Sequence, residues 1–110
     1  MASAFKTKTA VNIGTSLTSI YTAPANTTST VIGCYICNQS GGAIKGTVEF
    51  YDTSESHHAT LVKSTPIPSG STVVVIGGDG KVVLEAGDII KVQSNVVSSI
   101  DVTLSYLEQT

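Results

Sequence analysis

Between Ile67 and Val92 the chain packs three β-branched runs and three turn signals into a segment too crowded for a helix. The runs lie in the strands expected at Thr72–Ile76, Lys81–Leu84 and Ile89–Gln93. The signals are Pro68-Ser69-Gly70, Gly77-Gly78-Asp79-Gly80 and Glu85-Ala86-Gly87-Asp88. Branching at Cβ stiffens χ1 against a helical turn and suits a pleated, half-buried surface. Glycine and proline supply the backbone angles of tight turns. The segment reads as a compact β meander, with Gly77–Gly80 as a hairpin that needs positive φ. Val and Ile contribute 23 of the 110 residues, and Ser and Thr 29, so the same chemistry runs throughout. An all-β chain is expected.

Period-two alternation places the remaining strands. Residues 1–14 read as an N-terminal arm or first strand, with Phe5 as a possible anchor. Residues 15–110 read as one β-sandwich domain. Thr18–Thr22 is a short strand ended by the Ala23-Pro24-Ala25-Asn26 loop. In Thr28–Asn38, Ile32, Cys34 and Ile36 share one face, and Val31, Tyr35 and Cys37 the other, which predicts a central strand. Gln39-Ser40-Gly41-Gly42 reads as a hairpin turn. In the next strand, Ile44–Asp52, the side chains of Ile44, Gly46, Val48 and Phe50 face inward; Lys45, Thr47, Glu49 and Tyr51 face water. Thr53–His57 is a polar loop, His58–Ser64 a strand, and Pro66–Gly70 a turn. Ile100, Val102, Leu104 and Tyr106 form the inner face of the last strand. The expectation is a single antiparallel β-sandwich of eight or nine short strands, Ig-like or jelly-roll-like.

Charge narrows the function classes. The chain has six Lys, no Arg and eight acidic residues, for a net charge of −2. Arginine is the usual fork for phosphate and base edges, and no basic cluster replaces it, so nucleic-acid binding is not expected. No apolar run approaches the roughly 20 residues of a spanning helix. Met1–Lys6 has no apolar h-region, so folding in a cytoplasm with both cysteines reduced is expected.

The candidate chemical motifs are weak. Cys34 and Cys37 form C-x-x-C, but inside a strand three residues span roughly 10 Å and the two side chains point to opposite faces. Neither one metal nor a disulfide bridges that arrangement, so buried structural thiols are expected. His57 and His58 could recruit a metal with Asp52 or Glu55, but neighbours in an extended loop diverge and a zinc site needs three or four convergent ligands, so a plain polar loop is expected; a histidine cluster becomes conceivable only about the axis of a symmetric oligomer. Asp52-Thr53-Ser54 matches a short protease tripeptide without a second copy. Gly77–Lys81 lacks Walker spacing and no helix follows it. Asp88 and Asp101 read as ordinary exposed residues. No titratable pair is spaced for acid–base work. No catalytic, cofactor-binding or metal-binding residue is named, no cofactor is expected, and the chain does not read as an enzyme.

Two segments carry a resemblance. Ile20-Tyr21-Thr22-Ala23-Pro24-Ala25 and Thr30-Val31-Ile32-Gly33 lead to the Cys37-Asn38-Gln39-Ser40 turn. Ile67-Pro68-Ser69-Gly70-Ser71 and Val82–Ser94 lead to the strand Asp101–Glu108. In this order they resemble small β-sandwich virion proteins of tailed bacteriophages, cyanophage-like, over residues 18–108. The resemblance implies a virion structural protein made in a host bacterial cytoplasm. A capsid cement or decoration role is the first expectation. Its partners would be the major capsid protein or other virion proteins, and it would form a homo-oligomer, a trimer favoured. A neck, tail or baseplate accessory is the alternative in the same class. A carbohydrate- or receptor-binding module is the alternative from another class; only Tyr21, Tyr35, Tyr51 and Tyr106 could serve as platforms, with Tyr51 expected to be the most exposed.

Overall fold

In the computed structural model, which describes residues 3–110, the β-branched runs form nine strands. They are β1 (Ser3–Ile13), β2 (Thr18–Thr22), β3 (Thr28–Asn38), β4 (Ile44–Asp52), β5 (His57–Ile67), β6 (Thr72–Ile76), β7 (Val82–Leu84), β8 (Ile89–Ser94) and β9 (Ile100–Gln109). Two antiparallel sheets face each other. The first runs β1-β9-β3-β6, with β7 also on β3; the second runs β2-β8-β4-β5. The expected all-β sandwich is the observed fold, and β3 is the central strand the alternation predicts.

The topology is that of a jelly roll. Strands β6 and β7 both run antiparallel to β3 along one edge, Thr72–Ile76 beside Cys37–Cys34 and Val82–Leu84 beside Val31–Ser29. They are two halves of a single strand, parted by Gly77–Lys81. Only β4–β5 is a hairpin within one sheet; all other connections between full strands cross to the opposite sheet.

Three sequence expectations are thereby corrected. The 67–92 segment is no meander: β6 and β7 lie in the first sheet and β8 in the second. Gly77–Gly80 is an excursion within an edge strand rather than a hairpin, with Gly78 at φ +59° and the Gly80 amide donating to the Gly77 carbonyl. Gln39–Gly42 carries the chain across the sandwich. Turn residues dictate that a chain reverses; they carry no information on which sheet receives it.

Alternation fails where bulges intervene. The β3–β9 register slips between Val31 and Gly33, so Val31 joins Cys34 and Ile36 on the inner face, fully buried, and Ile32 turns outward. An extra residue opposite one partner flips every later side chain. Strand β5 begins at His57 and continues through Pro66 to Ile67, longer than expected. The inner faces of β4 and β9 match the expected alternation.

The core lies between the sheets, where Ile36, Val48, Ile67, Leu84, Ile90, Val92, Ile100 and Leu104 are fully buried. Gly46 is the small residue on the inner face of β4. A Cβ there would stand 3.0–3.2 Å from the Cδ1 atoms of Ile67, Ile36 and Ile100.

Candidate interaction surface

The outer faces of the two sheets differ in chemistry. Registers across the first sheet align Phe5, Leu107, Thr30 and Val83 in one row, and Thr9, Thr103, Tyr35 and Val74 in another. Phe5 is 75% exposed, Val74 59% and Val83 54%. Among the described residues Asp101 is the one charged strand residue on this face, and it accepts a hydrogen bond from the Asn12 backbone amide at 3.1 Å. The second sheet presents Lys45, Glu49, Lys91 and His58. There His58 Nδ1 lies 3.1 Å from Glu49 Oε1, and the Lys91 ammonium sits 5.2 Å from the Tyr51 ring centroid. One face is built for water; the other is hydroxyl-rich, apolar and nearly free of charge.

Strand β1 is fastened by a polar seam. Tyr21 reaches from the second sheet and donates to Glu108 Oε2 at 2.6 Å, while Ser29 lies 2.6 Å from the same phenol oxygen. Lys6 lies 2.8 Å from the other Glu108 oxygen. The Tyr21 ring packs on Tyr106 at 4.2 Å between centroids. Burial first, then the bond to Glu108, pushes the Tyr21 phenol well above its ordinary range. Hydrogen bonds from Lys6 and then Tyr21 hold the Glu108 carboxyl below its ordinary value.

Buried polar side chains latch the two ends of the sandwich. At one end Asn38 donates to the carbonyls of Gly42 (2.8 Å) and Ile67 (2.9 Å), and its Oδ1 accepts from the amide and hydroxyl of Ser40. At the other, Asp88 accepts from the amides of Thr53 (3.0 Å) and Glu85 (2.9 Å). Asp88 is only 2% exposed, which corrects its reading as an exposed turn residue; Asp101 is half-buried. The signal for Asp88 was available: Glu85-Ala86-Gly87-Asp88 has a carboxylate three residues after a turn start, and Gly87 takes φ +89°. Its burial was not legible, because Thr53 comes from a distant loop.

The other singled-out residues do not converge. Cys34 is fully buried and Cys37 half-buried on the opposite side of β3, both unpaired, and burial pushes the Cys34 thiol up to about 11. His57 pairs across the β4–β5 hairpin with Asp52, whereas His58 is engaged by Glu49 and lies 4.6 Å from the Tyr51 ring. Asp52 Oδ1 accepts from the Ser54 hydroxyl at 2.8 Å, closing the hairpin turn. Among the described residues no group of three or more His, Cys, Asp or Glu could hold a metal ion. Tyr21 and Tyr106 are buried, and Tyr51 is half-buried between His58 and Lys91; Tyr35, not Tyr51, is the most exposed tyrosine. A shallow polar depression of about 370 Å³ is lined by Thr15, Lys45, Thr47, Gln93 and Asn95 without an aromatic ring.

The chain matches no protein-family model. A comparison with curated proteins finds no match either.

Proposed function

We propose that this chain is a structural subunit of a tailed-bacteriophage particle, a cement or decoration protein that stabilises the head through symmetric contacts. The observation that carries the reading is the nearly charge-free outer face of the first sheet. Apolar side chains standing in water on a rigid sheet lose free energy when another surface covers them, roughly 25 cal/mol per Å². At about 4.8 Å between strands and 3.3 Å per residue, four strands of about nine residues present roughly 600 Å². A standard interface buries about 800 Å² per partner, so this face supplies most of one contact. A cement protein works by mass action: it binds the assembled shell and not its separated parts, and so stabilises the shell.

Jelly rolls occur in capsid proteins and in lectins, so fold analogy alone does not choose between them. The face chemistry favours packing. A carbohydrate module would use an exposed aromatic platform, and three of the four tyrosines are covered or engaged. Within the virion class, neck, tail and baseplate remain the alternative sites. Quantitative mass spectrometry of purified particles tests the reading. A copy number comparable to that of the major capsid protein is expected. A handful of copies per particle would move the chain to the neck, tail or baseplate, and complete absence would overturn the virion reading.

A further inference from the structure

Four sheet edges expose backbone donors and acceptors to solvent, and in three of them the backbone itself is disrupted. Strand β2 has five residues and a bulge between Ser19 and Tyr21. Strand β5 carries Pro66, a left-handed Ser64 (φ 48°) and two register shifts against β4. The β6–β7 edge is broken by Gly77–Lys81. These are the usual devices that stop an edge from pairing with another chain. Strand β1 differs. Ser3 through Ala10 keeps one unbroken register with Gln109 through Val102, with no proline and no bulge until the shift between Ala10 and Ile13. Its side chains from Ser3 to Thr9 are exposed on both faces.

The charges on β1 decide what can pair with it. Lys6 and Lys8 lie opposite Tyr106 and Leu104 and therefore share the inner face. Lys6 is paired with Glu108; Lys8 has no ion pair among the described residues. A second copy of β1 is a poor partner. Antiparallel pairing about a two-fold axis at Thr7 sets Lys6 opposite the second copy's Lys8. Slipping by two residues either way sets Lys6 opposite Lys6 or Lys8 opposite Lys8. Like charges directly opposite destabilise a sheet pair. The Lys8 ammonium, not compensated by Glu108 as Lys6 is, attracts a strand that carries a carboxylate opposite it on that face.

We propose that the open edge of β1 is a strand-addition site for an extended acidic segment of a partner protein. Main-chain hydrogen bonds hold such a segment, and alternate side chains select it. In antiparallel register the partner places an acidic residue opposite Lys8 and, three residues later on the other face, an apolar residue opposite Phe5. The added strand widens the charge-poor outer face and covers Phe5. The inference is independent of the virion reading, because it concerns the isolated chain.

The test is an amide chemical-shift titration of the intact protein with the blocked peptide Thr-Val-Glu-Thr-Glu-Val-Thr-Thr, beside the same peptide with Lys for each Glu. The acidic peptide is expected to perturb amides of Ser3–Ala10 and their β9 neighbours, and to bind at least about tenfold more tightly than the lysine peptide. Lys8→Glu, at an exposed position, is expected to reverse that preference. Three results overturn the proposal: no β1 perturbation at about millimolar peptide, perturbation centred elsewhere, or a preference unchanged by Lys8→Glu. A Lys8→Thr variant that dimerises through β1 while the parent ignores the acidic peptide would show that the lysines only guard the edge.

Discussion

Removing the Asn38 amide is expected to destabilise the sandwich far more than removing the amide beside it. Asn38 is fully buried, and all four of its hydrogen-bonding positions are used. In Asn38→Ala the carbonyl of Ile67, itself fully buried, loses that donor. An interior acceptor left unpaired costs about 1–3 kcal/mol. The Gly42 carbonyl and Ser40 amide lie nearer solvent and regain partners from water, so they add little. The void left by the amide adds about 1 kcal/mol. The sum is about 2–4 kcal/mol, a large part of the roughly 5–15 kcal/mol that holds a domain together. For a chain of this size that lowers Tm by roughly 10–20 °C. Gln39 is the internal control. Its amide donates to Asn12 Oδ1 at 3.0 Å and to the Ser98 carbonyl at 2.7 Å, but it is exposed, so Gln39→Ala costs about 0.5 kcal/mol. Urea unfolding measures both. Asn38→Asp sharpens the test, because it turns a carboxylate oxygen toward the carbonyls of Gly42 and Ile67. That contact raises the folded carboxyl pKa above its unfolded value, so the variant gains stability as pH falls through the folded pKa. A cost for Asn38→Ala within about 0.5 kcal/mol of Gln39→Ala would refute the latch.

Three further outcomes are expected. Glu108 is held below its ordinary value of 4.5, so its contribution is present above that pH and is lost as pH falls through the folded value. Glu108→Gln removes that loss, and the fall of stability on acidification becomes shallower; an unchanged acid limb in pH-dependent melting would contradict the seam. Thiol titration of the native protein with an aromatic disulfide is expected to label Cys37 readily and Cys34 only on unfolding, since Cys34 is buried with its thiol pushed up to about 11. Gly46→Ala is expected to cost about 1–3 kcal/mol by overpacking three isoleucine termini, read as a lower urea midpoint with an unchanged slope.

The residues by themselves determined the class of structure and most of its strands. Alternation placed β2, β3, β4 and β6 with their observed bounds, and it identified the inner faces of β4 and β9. It works because a strand buried on one face must repeat every two residues, whatever its partner. It also separated Cys34 from Cys37, since strand geometry alone sends i and i+3 to opposite faces. What it could not supply was pairing. The Gly-rich segments at Gln39–Gly42 and Gly77–Gly80 have the same local chemistry, yet one crosses the sandwich and the other loops out of a continuing edge strand. Each outcome depends on which strand lies alongside, and those strands are distant in sequence. The same holds for the interaction surface. Phe5, Leu107, Thr30 and Val83 are scattered along the chain and become one row only when β1, β9, β3 and β7 register against each other. Asp88 is ordinary in the sequence and a buried latch in the fold, because its donor Thr53 arrives from another loop. Local sequence carries local geometry; long-range registry is set by the joint burial of both inner faces, and only the assembled sandwich contains it.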